Sequence, residues 1–270
     1  MTAEPHSHTP SALSIFSLNV RFGLADDGPN SWNHRRKLFP ELLARWPADF
    51  YAFQEVNAFQ AEAIDAILKG YSRIGQRSPA PSFWQNNVIY AHPRWQCLRA
   101  EHFYLSPTPD IPSRYRNSRW PRQCTMGLYQ SDRHQLVCAN THFDFAPDVQ
   151  TQSAELIMQR LASFPSRPAT LLAGDFNASP KAPCREVFIR QPADEESDDT
   201  ARWPFQDAFA SNQSVTHRGF SGKSEGEPID WILFTRPLAL TRSLIIEETV
   251  NGRYPSDHFP LWAIFKWEED

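Results

Sequence analysis

Short apolar runs recur along the chain, and several are followed by stretches with helical spacing. Residues 13–20 read as the first strand. Residues 32–46 carry a helical pattern with Leu38, Leu42 and Leu43 inward, and Pro40 either kinks that helix or marks its real start. Residues 49–54 read as a second strand. Residues 57–69 predict a helix capped by Asn57 and ended by Gly70, with Phe59, Ile64, Ile67 and Leu68 as its apolar stripe. Strands are expected at 87–91, 126–129, 136–141, 169–174, 229–234, 244–248 and 260–265. Helices are expected at 148–164, capped by Asp148, and near 184–189. This mixture gives an α/β or α+β class, and periodicity alone leaves the number of sheets open.

No repeat interrupts the series, and no break is long enough for a domain linker. The first 12 residues are polar, hold two prolines, and read as a disordered tail that leaves one domain over residues 13–268. They lack the basic start and apolar run of a signal peptide, and no stretch approaches the ~20 apolar residues of a membrane span. The expectation is a cytoplasmic, monomeric protein without membrane insertion. Cys97, Cys124, Cys138 and Cys184 share no metal-ligand spacing and read as reduced thiols, mostly buried.

With 27 basic and 31 acidic residues, the chain lacks the basic excess of a general nucleic-acid binder. Only five of the basic residues are Lys, and Arg suits bidentate phosphate recognition as well as surface pairing. The acidic stretch 194–200 reads as a solvated loop, with metal binding as its alternative.

Polar residues cluster where the strand-like runs end, which is where α/β proteins place their sites. Asn19 ends the first run and Glu55 the second. A carboxylate there is either emerging at the surface or, with Asn19, offering hard oxygen ligands to a cation. Asp175 and Asn177 follow a buried run two residues apart, so in extended chain both face one way. Gly174 before them permits close backbone approach. His142 and Asp144 have the same spacing at another strand end. Asp257 and His258 are adjacent and point apart, and Asp230, opening a strand, is placed to hold an imidazole. Each has an ordinary structural explanation. Together they are the inventory of metal-assisted hydrolysis.

The motifs S-L-N-V, Q-E, T-H-F-D, G-D-F-N, I-D-W-I and S-D-H-F-P, in this order from about residue 13 to 266, resemble the endonuclease/exonuclease/phosphatase superfamily. That superfamily includes deoxyribonucleases, abasic-site endonucleases, inositol polyphosphate 5-phosphatases, neutral sphingomyelinases and deadenylases. The resemblance implies a four-layer α/β/β/α sandwich of two packed mixed β-sheets flanked by helices. It implies Asn19, Glu55 and Asp257 at a Mg2+ ion (Mn2+ or Ca2+ being alternatives), with Glu55 the main ligand. Asp175 and Asn177 would position water and phosphate, and His142 would bond a phosphoryl oxygen. His258, oriented by Asp230, would serve acid–base chemistry or transition-state stabilisation. Asp175 is the preferred base, with His258 as competitor. Asn87 matches a polar position near the phosphate. Arg21, Arg119 and Arg122 lie in stretches resembling bacterial members of unassigned substrate, and surface charge is their alternative.

The function this implies is a phosphohydrolase acting by in-line attack of water on a small phosphorylated substrate. A DNA or RNA nuclease of the same family is the alternative, and a non-catalytic phosphate-binding module is the second. The loop at 113–123 holds several Arg with Tyr115 and Trp120, which could stack on a base or a sugar. Placement at strand ends further predicts that Asp175→Ala or His258→Ala removes turnover with little effect on unfolding.

Overall fold

In a computed structural model, which describes residues 12–164, 167–189, 204–212, 214–221 and 226–268, the strands assort into two six-stranded sheets. The first contains β1 (Ala12–Asn19), β2 (Phe50–Val56), β3 (Ser72–Ile74), β4 (Asn86–Ala91), β11 (Leu238–Ile245) and β12 (Leu261–Trp267), in the order β11-β12-β1-β2-β4-β3. The second contains β5 (Gln96–Tyr104), β6 (Gln123–Gln130), β7 (Gln135–His142), β8 (Ala169–Asp175), β9 (Gln206–Asp207) and β10 (Asp230–Phe234), in the order β5-β6-β7-β8-β10-β9. Both are mixed. β1 pairs parallel with β2 and β7 parallel with β8, and the other pairings are antiparallel.

The sheets pack face to face. Leu13, Ile15, Phe50, Ala52 and Ile89 of one meet Leu136, Cys138, Leu171, Ala173 and Ile232 of the other. The intervening residues face outward, as the strand period of two requires. Phe16, Leu18, Tyr51 and Phe53 pack under α1 (Trp32–Arg35), α2 (Phe39–Arg45) and α3 (Ala58–Asp65). Val137, Ala139, Leu172 and Leu233 pack under α4 (Pro147–Leu161) and α5 (Pro183–Ile189). The result is the four-layer sandwich expected from the motifs.

Several boundaries differ from the sequence reading. The helix expected at 32–46 is two short helices, and Pro40 lies in the first turn of the second, where its missing N–H costs nothing. α3 ends at Asp65, four residues early. α4 starts at Pro147 after Ala146, so Asp148 is not its cap but an acid in its first turn. β11 begins at Leu238 rather than 244 and ends at Ile245. β3, β5 and β9 were not expected. β5 is a sheet edge with mostly exposed or half-buried side chains, so it lacks an apolar signature. Ala12, placed in the tail by composition, already belongs to β1, while residues 1–11 and the acidic stretch 194–200 lie outside the described residues. All four cysteines are free, and three are buried. Among the described residues no helix is long and apolar enough to cross a membrane.

The inward face of each central strand changes character along its length. On β1, Leu13 and Ile15 give way to Ser17 and Asn19. Ala52 gives way to Gln54 on β2, Cys138 to Asn140 and His142 on β7, and Ala173 to Asp175 on β8. Gln54 Nε2 donates to Asn140 Oδ1 across the sheets at 2.7 Å, and Asn140 Nδ2 donates to the Phe53 and Val88 carbonyls at 2.9 and 2.8 Å. Buried amides are tolerated only when paired in this way. The pair marks the level at which the dry core ends and the polar end of the sandwich begins.

Candidate active site

Asn19 reaches that polar end through ordinary alternation, but Glu55 does not. It follows inward Gln54 and would face outward in a regular strand. The β2–β4 register shifts between Phe53 and Val56, and Glu55 sits at φ 62°. This bulge turns its carboxylate back beside Asn19. Asn19 Nδ2 donates to Glu55 Oε1 at 3.1 Å and to Asp175 Oδ2 at 3.0 Å, while its Oδ1 accepts from the Arg21 N–H at 2.9 Å. Asn19 thus joins two carboxylates across the sheets by donating. Glu55 Oε2 accepts from the Phe22 N–H at 2.6 Å.

β7 and β8 run parallel and in register, which sets His142 beside Asp175. Gly174 makes this approach possible, because a Cβ there would lie 2.2 Å from the Thr141 carbonyl oxygen. His142 Nε2 stands 3.4 Å from Asp175 Oδ2 and accepts from Asn177 Nδ2 at 3.0 Å and Arg122 Nη1 at 2.9 Å. Asn177 has φ 46°, and its N–H donates to Asp175 Oδ1 at 2.9 Å. Asp175 and Asn177 are therefore linked through a turn, not through the extended backbone that their spacing assumed.

Asp230 opens β10 opposite Asp175 in the antiparallel register. Its Oδ2 lies 2.9 Å from His258 Nδ1, leaving His258 Nε2 directed at Asp175 Oδ2, 3.8 Å away. Asp257 points elsewhere, with Oδ2 3.6 Å from Arg21 Nη1 and 3.7 Å from His217 Nε2. Nothing in the sequence singled out His217, whose ring lies against that of His258 at 4.7 Å.

Arg35 was also missed. It is 1% exposed and, among the described residues, pairs with no carboxylate; it donates to the carbonyls of Asn30, Val20, Pro255 and Arg21 at 2.6–3.4 Å. One guanidinium thereby ties the end of β1 to the segment carrying Asp257 and His258. Arg35→Leu leaves buried carbonyls unpaired and is expected to cost about 3 kcal/mol or more in urea unfolding. A loss under about 0.5 kcal/mol, the size of an ordinary surface substitution, would show that the tie is unimportant.

Burial and charge divide the titratable groups. Burial, helped by the Arg122 charge, pushes His142 well below the usual histidine range, so it is a neutral acceptor. Burial, and next the nearby Asp230, raise Asp175 to about 6. Burial opposes charge on His258, but Asp230 and Asp175 outweigh it and raise the imidazole to about 10. Burial also opposes charge on Asp257, yet the His217 hydrogen bond and the His258 and Arg21 charges hold it down to about 2. At neutral pH the centre is a carboxylate between a neutral and a charged imidazole.

A cavity of about 520 Å3 opens beside these groups and is lined by Glu55, Asn87, His142, Arg21, Arg119 and Arg122, among others. Asn87 Nδ2 donates to the Gln123 carbonyl at 2.8 Å. Arg21 is held by Asp27 at 3.0 and 2.8 Å, which fixes its guanidinium among carboxylates. Arg119 is exposed, whereas Arg122 is buried against His142, with its Nε 3.9 Å from Asp144 Oδ2. Among the described residues, two groups have metal-competent atoms close together, Asp175–Asp230–His258 and His217–Asp257–His258. His258 belongs to both, and its Nδ1 already lies 2.9 Å from Asp230 Oδ2. Glu55 and Asp257 offer carboxylate oxygens, the donor type that a hard divalent cation prefers.

A family model described as Endonuclease/Exonuclease/phosphatase family matches residues 16–258. The chain belongs to this family of phosphoric ester hydrolases. It is similar in fold to an endonuclease/exonuclease/phosphatase family protein from Bacteroides thetaiotaomicron, with 20% identity over 97% of this chain and 100% of that one and a TM-score of 0.83. A mannosyl-6-phosphatase from the same organism is 21% identical over 93% of this chain and 98% of that one, with a TM-score of 0.79. D. rerio TDP2 complexed with a single-strand DNA product is 16% identical over 95% of this chain and 99% of that one, with a TM-score of 0.71. A comparison with curated protein sequences finds no match.

Proposed function

We propose that the chain is a divalent-metal-dependent phosphohydrolase that cleaves a phosphodiester or phosphomonoester by in-line attack of water. The observation that carries this reading is the meeting of separate chain segments at one oxygen. Asp175 Oδ2 lies 3.0 Å from Asn19, 3.4 Å from His142 and 3.8 Å from His258. Water oxygen bonds to phosphorus while Asp175 takes the water proton. The bond from phosphorus to the leaving oxygen breaks, and that oxygen keeps the electron pair and is protonated from solvent. His258 opposes the negative charge growing on the phosphoryl oxygens, and Asp230 keeps its Nε2 aimed inward. Asn177 and Arg122 donate N–H groups to the His142 ring and hold it beside Asp175. Glu55, joined to Asn19 at 3.1 Å, would hold Mg2+ or a similar ion with Asp257 as a further oxygen donor, and that ion when bound would neutralise phosphate charge and lower the pKa of water.

A small substrate is favoured over nucleic acid. The cavity of about 520 Å3 suits one small molecule, and the net charge of −4 offers no long basic track. Similarity to a TDP2 bound to single-strand DNA supports a nuclease as the second reading. Hydrolysis of bis(p-nitrophenyl) phosphate is expected with Mg2+ or Mn2+ and should fall to background with chelator. Chelator-resistant hydrolysis would remove the metal from the reading. A panel of sugar phosphates, inositol phosphates, glycerophosphodiesters, plasmid DNA and RNA distinguishes the two substrate classes.

A further inference from the structure

Among the described residues, the exposed large aromatic side chains are Phe83, Trp120 and Phe145, at 61%, 53% and 56% exposure. All three line the cavity beside Asp175. Other exposed large hydrophobics are the aliphatic Leu24, Leu98, Ile111 and Leu240, none of them in its wall. The cavity floor is different. Asn87, Gln123, Arg122 and His142 there are each less than 9% exposed and polar. The cavity therefore grades from a polar, cationic floor to an aromatic rim.

The rim is fixed rather than loose. Asp144, two residues after His142, accepts through Oδ2 from Ser118 Oγ, the Arg119 N–H and the Trp120 N–H at 2.9, 2.9 and 3.3 Å. Its Oδ1 accepts from the Phe145 N–H at 2.9 Å. One carboxylate thus sets the backbone at two of the three rings. At the third ring Asn57, two residues after Glu55, donates to the carbonyls of Ser82 and Trp84 at 3.1 and 3.0 Å, which brackets Phe83. The rings are pinned by residues that follow directly from the strand ends supplying His142 and Glu55. Arg119 lies over Trp120 at 5.5 Å and Arg122 over Phe145 at 5.7 Å, so a cation braces each ring.

We infer that the substrate of the proposed phosphohydrolase carries a flat aromatic ring, nucleobase or aryl, that stacks on Trp120 and Phe145 facing Phe83 while its phosphate reaches the floor. The inference rests on the phosphohydrolase reading for the phosphate end only. Rigid aromatic faces stack on flat rings with little ordering cost. The three exposed ring faces themselves offer no hydrogen-bond partner, so a sugar laid on them gains less than a flat ring does.

The test is calorimetric titration of the intact protein, with Mg2+ present, with non-hydrolysable phosphonates. Phenylphosphonate and an adenine-bearing alkylphosphonate are expected to bind at least about ten-fold more tightly than methylphosphonate, cyclohexylphosphonate or a sugar phosphonate. The tighter of the first two identifies the ring as aryl or nucleobase. Trp120→Ala and Phe145→Ala, both exposed positions, should each cut that preference by about five-fold or more while methylphosphonate affinity barely moves. Equal affinities across the series, a cyclohexyl or sugar preference, or a preference indifferent to both substitutions overturns the inference. Ring preference without bis(p-nitrophenyl) phosphate hydrolysis keeps the cradle and rejects the hydrolase reading.

Discussion

Asp175→Asn is expected to lower kcat by about a thousand-fold, within the range seen when a positioned proton acceptor is lost, while the melting temperature holds or rises. Asp175 is 2% exposed, and burial together with Asp230 raises it from 3.8 to about 6. A raised carboxyl binds its proton more tightly when folded than when unfolded. Its ionisation therefore opposes folding, negligibly below pH 3.8, increasingly up to 6, and fully above. At neutral pH the penalty is on the order of 3 kcal/mol, and asparagine relieves it. The amide retains one carbonyl, which keeps the bond from the Asn177 N–H, while its NH2 takes the place of the oxygen that accepts from Asn19. Scanning calorimetry at pH 7.5 checks the stability and metal-supplemented turnover checks the activity. A melting point lowered by more than about 5 °C would mark Asp175 as a structural keystone instead.

His258→Ala should also cost at least about a hundred-fold in kcat/KM, but with the opposite effect on folding. Asp230 and Asp175 hold the imidazole charged up to about 10, so its stabilisation is fully present below about 6.5 and is lost as pH climbs through 10. Alanine leaves Asp230 buried, 4% exposed, without its partner. The expected destabilisation at neutral pH is about 3 kcal/mol. The two substitutions, which look equivalent when judged by position at strand ends, thus separate on stability. The pH profile of kcat/KM should rise near 6, as Asp175 ionises, and fall near 10, as His258 discharges. The acid limb should vanish in Asp175→Asn. Nitrogen NMR of the imidazole at pH 8 provides a direct check, and a neutral His258 would refute the charge assignment.

Much of this centre is legible in the linear chain because its parts sit where apolar runs stop. The alternation that buries Leu13 and Ile15 carries on to Asn19, and the run through Ala173 carries on to Asp175. What alternation cannot disclose is a residue that breaks it. Glu55 was recognisable by motif, but its inward aim depends on a bulge and a left-handed backbone that no period of two predicts. Arg35 and His217 lie outside the strands, and their partners come from distant segments. β5 is polar because one of its edges and much of its surface meet solvent. The second tasks of Asn57 and Asp144, as anchors of the aromatic walls, were likewise invisible, since each local motif already had a simpler explanation.

Arg21, Glu55 and Asn177 hold backbone angles of 63°, 62° and 46°, where side-chain-bearing residues are disfavoured by about 1 kcal/mol or more each. Glycine would relax all three positions. Directed evolution that ranks variants by heat resistance alone should therefore accumulate glycines at these places and converge on robust, inert proteins. Screening for retained turnover alongside thermal tolerance is the way to keep such lineages useful.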